Sequence, residues 1–258
     1  MKTQFFAIPL FAFLTGCVSG EISAADYIDA DNDSEDSIPS PSSDLDDEDE
    51  DTPIDTSSPA EDYAAFYDFS DQQSLLYVQV FKDESAWGSG FAHNHVIRAS
   101  NWTGSLFFDP SDLSSCELEF SLDVDELMVD EDTMRDVVGY NDTISTNDRS
   151  QIREHMLADN QLNANQYPEI TFESVECQGT TGAFEGDLQV IGGLEIAGTA
   201  ATTTINLDFK IRSSGFYASG GFEMNHSDFG LEPYSAFAGA VRNAEQLVFA
   251  FDMLGTPN

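Results

Sequence analysis

Basic residues are scarce in this sequence. Only nine Lys and Arg accompany 48 Asp and Glu, which gives the 258-residue chain a formal net charge of −39. A nucleic-acid backbone is bound by neutralising its phosphates with basic side chains, so this composition excludes nucleic acid as a partner. The same excess of acidic residues disfavours anionic lipid surfaces, and it favours solubility and repulsion between copies of the chain.

Motifs for catalysis and cofactor binding are also absent from the sequence. It contains no Gly-Xaa-Ser-Xaa-Gly nucleophile elbow, no phosphate-binding Walker loop and no Cys-Xaa-Xaa-Cys pair. We therefore expect that the protein is not an enzyme, and we predict no cofactor from these motifs.

The N-terminal segment resembles a bacterial export signal. Lys2 precedes an apolar stretch at residues 5–13 that is too short to span a bilayer. The sequence Leu14-Thr15-Gly16-Cys17 follows and resembles a lipobox, at which a signal peptidase cleaves so that the new N-terminal cysteine receives lipid. We expect residues 1–16 to be a lipoprotein signal peptide and Cys17 to be the lipid attachment site. An ordinary secretory signal with an incidental cysteine is the alternative.

The residue after Cys17 bears on the location of the protein. Val18 stands there, and not the aspartate that marks inner-membrane retention in many bacterial lipoproteins. The lipobox resemblance therefore implies an outer-membrane lipoprotein of the bacterial cell envelope that faces the periplasm, with exposure on the cell surface as the alternative. The lipid anchor makes a membrane one of the expected partners.

Asp, Glu, Ser and Pro dominate the segment that follows, and no Lys or Arg lies between Lys2 and Lys82. Such a segment cannot bury enough apolar surface to offset the entropy of ordering it, and its like charges extend it. We predict that residues 17–66 comprise the lipidated cysteine and a disordered acidic linker. Residues 67–258 then form a single folded domain.

Apolar and polar residues alternate with a period of two throughout this domain, which is typical of half-buried β-strands. In residues 116–124 every even position is apolar and every odd position is polar. The same alternation predicts strands at residues 184–190, 205–211 and 247–253. Further strands are expected in residues 75–81, 88–98, 102–108, 167–177 and 215–224.

Helical spacing is confined to the connection at residues 130–166, where Asn147 or Asp148 is the predicted helix cap. The pattern therefore predicts an all-β fold, an antiparallel up-and-down barrel of about eight strands with a helical insertion. A two-sheet sandwich is the competing architecture.

Cys116 and Cys177 are the only thiols that remain if Cys17 carries lipid. Cys116 lies near the start of one predicted strand and Cys177 at the end of the next, and the expected compartment is oxidising. We predict a disulfide between them. Two unpaired cysteines are the alternative, because a bridge requires Cα atoms within ~7 Å of each other.

Several segments of the domain resemble a known family when taken in chain order. They are REHML at residues 153–157, YPEITFES at 167–174, GDLQVIG at 186–192 and SDFG at 227–230. Over roughly residues 77–253 the sequence resembles the YceI-like family. The resemblance implies a lipocalin-like barrel that has no enzymatic activity and binds a polyisoprenoid-type lipid in its interior.

The sequence differs from the common family pattern at His93-Asn94-His95, where most members have a single histidine, and at Asn225-His226, where many have arginine. The alternation and the resemblance together indicate which residues contact the ligand. The expected ligand-binding residues are Phe91, His93, His95, Phe120, Leu122, Phe172, Leu188, Ile205, Leu207, Phe249 and Phe251.

The interior of such a barrel can either hold a ligand or be filled by side chains. We favour a protein that binds, carries or sequesters an elongated apolar lipid, because ligand sites are mostly apolar cavities with few polar contacts. A structural envelope lipoprotein, with a small barrel filled by its own side chains, is the alternative.

His93 and His95 allow a third interpretation, a metal or redox-cofactor-binding envelope protein. Residues two apart on a strand point to the same side, so both imidazoles can reach one metal ion. A zinc centre with an open position usually has three protein ligands, which His155 or His226 can complete only through the fold. Otherwise both rings line the barrel mouth as hydrogen-bonded groups that orient a ligand headgroup.

Overall fold

The computed structural model describes residues 65–179 and 184–258. The expected signal peptide, the lipid attachment site Cys17 and most of the acidic linker lie outside these residues. The first strand, β1, already begins at Ala65, so the predicted boundary between residues 66 and 67 falls inside a strand.

The described residues form a twelve-stranded antiparallel sheet. The strands are β1 (Ala65–Ser70), β2 (Leu75–Lys82), β3 (His95–Ala99), β4 (Thr103–Phe108), β5 (Glu117–Asp123), β6 (Leu127–Val129), β7 (Glu169–Gly179), β8 (Glu185–Ile196), β9 (Thr199–Arg212), β10 (Gly215–Asn225), β11 (Ser235–Ala236) and β12 (Val241–Pro257).

Two α-helices, α1 (Asp132–Val137) and α2 (Thr146–Leu157), lie between β6 and β7, in the connection where the sequence predicts helical structure. The cap of α2 is Ser145, whose hydroxyl accepts a hydrogen bond from the Asp148 N–H, so the predicted caps Asn147 and Asp148 are wrong. Within the described part of the chain, neither helix has the length and apolar composition needed to cross a membrane.

The sheet closes into an eight-stranded barrel in the order β1-β4-β5-β7-β8-β9-β10-β12, and the pairing of Tyr67 with Pro257 joins β12 back to β1. β2, β3 and β6 extend β1, β4 and β5 beyond short interruptions: β2 pairs with β12 and β3, and β3 pairs with β6. The predicted up-and-down barrel is therefore confirmed, and the two-sheet sandwich is excluded.

Burial follows the alternation of the sequence. In β9, the side chains of Thr203, Ile205, Leu207, Phe209 and Ile211 are buried, and their neighbours are exposed or half-buried. The prediction of a strand over residues 88–98 is wrong in its first half, because Ser89–Phe91 form a 3₁₀ turn and only His95–Ala99 pair as β3. The Gly88 N–H in this loop donates to the Ala240 carbonyl at 2.9 Å, which holds the loop against the segment before β12.

The two ends of the barrel differ. At one end, stacked and edge-on aromatic rings fill the interior, with ring centroids 5.1–5.4 Å apart among Phe108, Phe209 and Phe216. Tyr67 and Phe69 pack against the same Phe216. Ala65 enters the barrel at this filled end, since it pairs with Phe108. The opposite end carries α2 and the 3₁₀ turn His226–Phe229.

A disulfide joins Cys116 and Cys177, as predicted, with their Cα atoms 5.9 Å apart. Cys116 directly precedes β5, and Cys177 lies near the end of β7, the strand that pairs with β5. The bridge therefore ties two neighbouring strands together at the filled end of the barrel.

Replacing both Cys116 and Cys177 by alanine is expected to lower the free energy of unfolding by about 4 kcal/mol, because the bridge links residues 61 positions apart and restricts the unfolded chain. Urea unfolding of the oxidised wild type and the double variant, at one pH, measures the difference. A loss below ~1 kcal/mol would contradict the expected contribution of the bridge.

Candidate functional site

The barrel encloses a cavity of about 660 Å³, within the range of ~300–1,000 Å³ that is common for small-molecule sites. Side chains from strands on all sides form its wall, and most of them are aliphatic or aromatic, such as Leu122, Leu188 and Phe251. Phe69 and Phe216 close the cavity toward the filled end, while α2 and the loop before β12 border its mouth. The alternative of a purely structural lipoprotein requires a barrel that is filled by its own side chains. The cavity shows that this barrel is not filled in that way.

All of the expected ligand-binding residues except Phe172 border this cavity. Phe172 is buried, but its ring stacks on the ring of Phe120, with centroids 5.7 Å apart. The ring lies where a side chain at Gly192 of the neighbouring β8 would otherwise project. The absence of that side chain lets Phe172 lie against the barrel wall, outside the set of residues that border the cavity, and its contact with a ligand stays a prediction.

Phe91 lies at the outer edge of the cavity and is largely exposed to solvent. It is 84% exposed and lies in the 3₁₀ turn before β3, and the equally exposed Phe237 occupies the loop between β11 and β12. Both rings therefore stand at the rim of the mouth, whereas the sequence pattern predicts Phe91 on the same strand face as His93 and His95.

All four histidines of the chain border the cavity near its mouth. His95 begins β3 and His93 lies in the loop just before it, so the two rings do not share a strand as predicted. His155 comes from α2, where its ring contacts that of Tyr234 with centroids 5.2 Å apart. His226 comes from the turn after β10. His155 and His226 are far from His93 and His95 in the sequence, and the fold brings them to the site.

The Nδ1 atoms of three histidines are engaged by oxygen acceptors. His95 Nδ1 lies 2.7 Å from Asp130 Oδ2, and His93 Nδ1 lies 2.5 Å from Asp142 Oδ2. His226 Nδ1 lies 2.9 Å from the carbonyl oxygen of Glu245. The hydrogen bond with His93 is the main cause that holds the pKa of the Asp142 carboxyl below its ordinary value.

The buried guanidinium of Arg135, from α1, links the two carboxylates that hold His93 and His95. It donates to Asp130 Oδ1 at 2.9 Å, to the Asn94 carbonyl at 2.9 Å and to the Asp142 carboxylate. Asp130, which is fully buried, also accepts from the Val96 N–H at 3.0 Å. These bonds fix the loop that carries His93, and the start of β3 at His95, to the helical insertion.

The model of the YceI-like domain matches residues 80–253. The chain belongs to the YceI-like family. No curated protein sequence matches the chain significantly.

The fold of this YceI-like domain resembles, among others, those of two solved structures. One is Burkholderia cenocepacia BcnA, with 16% identity, a TM-score of 0.52 and coverage of 71% of this chain and 96% of that chain. The other is a polyisoprenoid binding domain from Saccharophagus degradans implicated in plant cell wall breakdown, with 12% identity, a TM-score of 0.50 and coverage of 76% and 99%. At these identities the similarity shows a shared fold.

The histidines of this YceI-like domain do not form a recognisable metal centre. Within residues 65–179 and 184–258, no three His, Cys, Asp or Glu side chains lie close enough together to hold a metal ion. The carboxylates on Nδ1 of His93 and His95 leave only Nε2 of each ring for another ligand. Metal binding by this pair gains no support from the geometry and stays a prediction.

The buried position of Arg135 generates a stability prediction. Arg135→Met leaves the buried Asp130 without its cation, and we expect the free energy of unfolding to fall by ~3 kcal/mol or more. Urea unfolding monitored by circular dichroism provides the measurement.

Arg212→Met is the matched control, because Arg212 pairs with Glu185 at 3.3 Å on the surface, where an ion pair contributes about 1 kcal/mol or less. Equal losses in the two variants would show that Arg135 acts as an ordinary surface cation.

Proposed function

We propose that this chain binds an elongated apolar lipid of the isoprenoid type inside the barrel and carries or sequesters it in the bacterial cell envelope. The observation that carries the proposal is the apolar cavity, which is closed at one end by Phe69 and Phe216 and bordered by polar residues at the other. Membership of the YceI-like family supports it, as does the similarity in fold to a domain described as polyisoprenoid-binding.

The physical basis is the burial of a hydrocarbon chain. Each methylene group removed from water contributes about 0.8 kcal/mol, so ten buried methylenes contribute ~8 kcal/mol before the cost of ordering the ligand. The mouth supplies a few polar groups that can orient a headgroup, which is the usual composition of a binding site. The proposed activity is therefore binding, and no catalytic step is part of it.

We expect Leu207→Glu to abolish lipid binding. Leu207 is buried and borders the cavity, and an unpaired carboxylate in an apolar interior is costly. The adjacent Asn206 is exposed on the outer face of β9, so Asn206→Glu is the matched control and should retain lipid. Native mass spectrometry of the purified proteins measures the bound lipid.

Leu207→Trp tests the same wall without a charge, in case Leu207→Glu does not fold. The larger ring occupies cavity volume, and lipid occupancy should fall while the circular dichroism spectrum is retained. Full lipid occupancy in folded Leu207→Trp and Leu207→Glu would contradict the proposal. So would a stoichiometric metal that is lost in His93→Ala and in His95→Ala, with no lipid in the wild type.

We further propose that the protein is an outer-membrane lipoprotein that faces the periplasm and is anchored through Cys17. The sequence Leu14-Thr15-Gly16-Cys17 after a short apolar stretch supports this, together with Val18 at the position that follows the cysteine. More than one acyl chain on the cysteine makes such anchoring stable.

Cys17→Ser should release the protein from the membrane fraction or block its processing, because the acceptor for the lipid is lost. Ser19→Ala, two positions away, is the control and should remain with membranes. Immunoblots of separated membrane and soluble fractions give the result, and Cys17→Ser protein found wholly in the membrane fraction would refute the lipid anchor.

A further inference from the structure

No lysine or arginine is among the described residues that border the cavity, whereas Asp148 of α2 is. Phosphate recognition ordinarily uses Arg or Lys in charge-assisted hydrogen bonds. The border of this cavity therefore offers an anionic headgroup no basic side chain to bind.

Cations near the mouth do not change this balance, since Arg149 and Arg153 of α2 pair with Asp132 and Asp125. Arg135 is also neutralised. Its buried guanidinium binds the carboxylates of Asp130 and Asp142, so one positive charge faces two negative ones. When both rings are neutral, a headgroup at His93 or His95 meets a local excess of negative charge behind them. An anionic headgroup would lose its hydration there without gaining a counter-charge.

The hydrogen bonds of the histidines fix which ring nitrogen carries the proton. The Glu245 carbonyl can only accept a hydrogen bond, so His226 donates one from Nδ1. The ionised carboxylates of Asp130 and Asp142 also accept only, so His95 and His93 likewise donate from Nδ1. In a neutral imidazole, the other nitrogen is then an acceptor. Within the described part of the chain, the Nε2 of each of these three rings has no hydrogen-bond partner, so a neutral ring offers it to a donor.

We infer that the mouth selects lipids with an uncharged headgroup that carries a hydroxyl or N–H donor, and that it discriminates against the phosphorylated forms of the same chain. The inference rests on the proposed function, because it names the headgroup of the lipid held in the barrel. A donor headgroup satisfies the Nε2 acceptors, while an ether or a phosphate places a lone pair against them.

A set of ligands with one chain and three headgroups tests the inference. Geranylgeraniol offers a hydroxyl donor, its methyl ether offers an acceptor alone, and geranylgeranyl monophosphate is an anion. Trp102 borders the cavity and Trp87 is exposed, and these are the two tryptophans of the chain. In a Trp87→Phe background, the fluorescence of Trp102 therefore reports occupancy of the cavity at pH 7.5.

The alcohol should bind about tenfold more tightly than the ether, as expected for one net hydrogen bond, and the monophosphate should bind most weakly. Equal affinities for the three ligands, or tightest binding of the monophosphate, would overturn the headgroup inference and leave lipid binding intact. Failure of all three to bind would overturn the proposed function and, with it, the inference.

Single variants locate the acceptors. His95→Phe and His226→Phe each keep a ring and remove a lone pair, so the affinity for the alcohol should fall toward that for the ether, which itself should not change. Thermal melts establish that each variant is folded. Loss of affinity for alcohol and ether alike in both variants would indicate a packing role and contradict acceptor recognition.

Discussion

β12 pairs with β10 along one edge and with β2 along most of the other, and its last residues reach β1. This double pairing turns an open sheet into a closed surface. Closure removes the exposed sheet edges, and it gives every strand an inner face that water cannot reach from the sides. The cavity, the position of the mouth and the placement of all four histidines depend on it.

Within the closed barrel, the two ends of the interior are packed differently. The rings of Tyr67, Phe108, Phe209 and Phe216 pack against one another and fill one end, while aliphatic and aromatic side chains line the cavity in the middle. An interior filled along its whole length would be a core, and an interior lined along its whole length would be a channel. Because only one end of the interior is filled, the cavity is a pocket that is closed at that end.

The sequence predicted the strands that alternate over many residues, such as β5, β8, β9 and β12, because a period of two needs several repeats to be recognised. It missed β1, β6 and β11, and β6 and β11 are too short to show a pattern. The disulfide could be predicted because few thiols were available, and the wall residues because alternation identifies the inner face. The packing of Phe172 against the wall could not be predicted, since it depends on Gly192 in another strand.

The polar partners of the site could not be predicted in the same way. Asp130 and Asp142 lie 35 and 49 positions from the histidines that they hold, and Arg135 sits in a helix whose six residues show no clear periodicity. Such contacts depend on how the helical insertion folds back over the mouth. A single sequence carries periodicity, which reports burial, but it carries little information about which distant charges meet.

The chain enters the barrel at Ala65, beside Phe108 in the aromatic floor, whereas the histidines and the rim phenylalanines lie at the opposite pole. The start of the first strand and the opening of the cavity thus lie at opposite poles of the domain. A ligand that enters through the opening meets the rim loops first and reaches the aromatic floor beside β1 last.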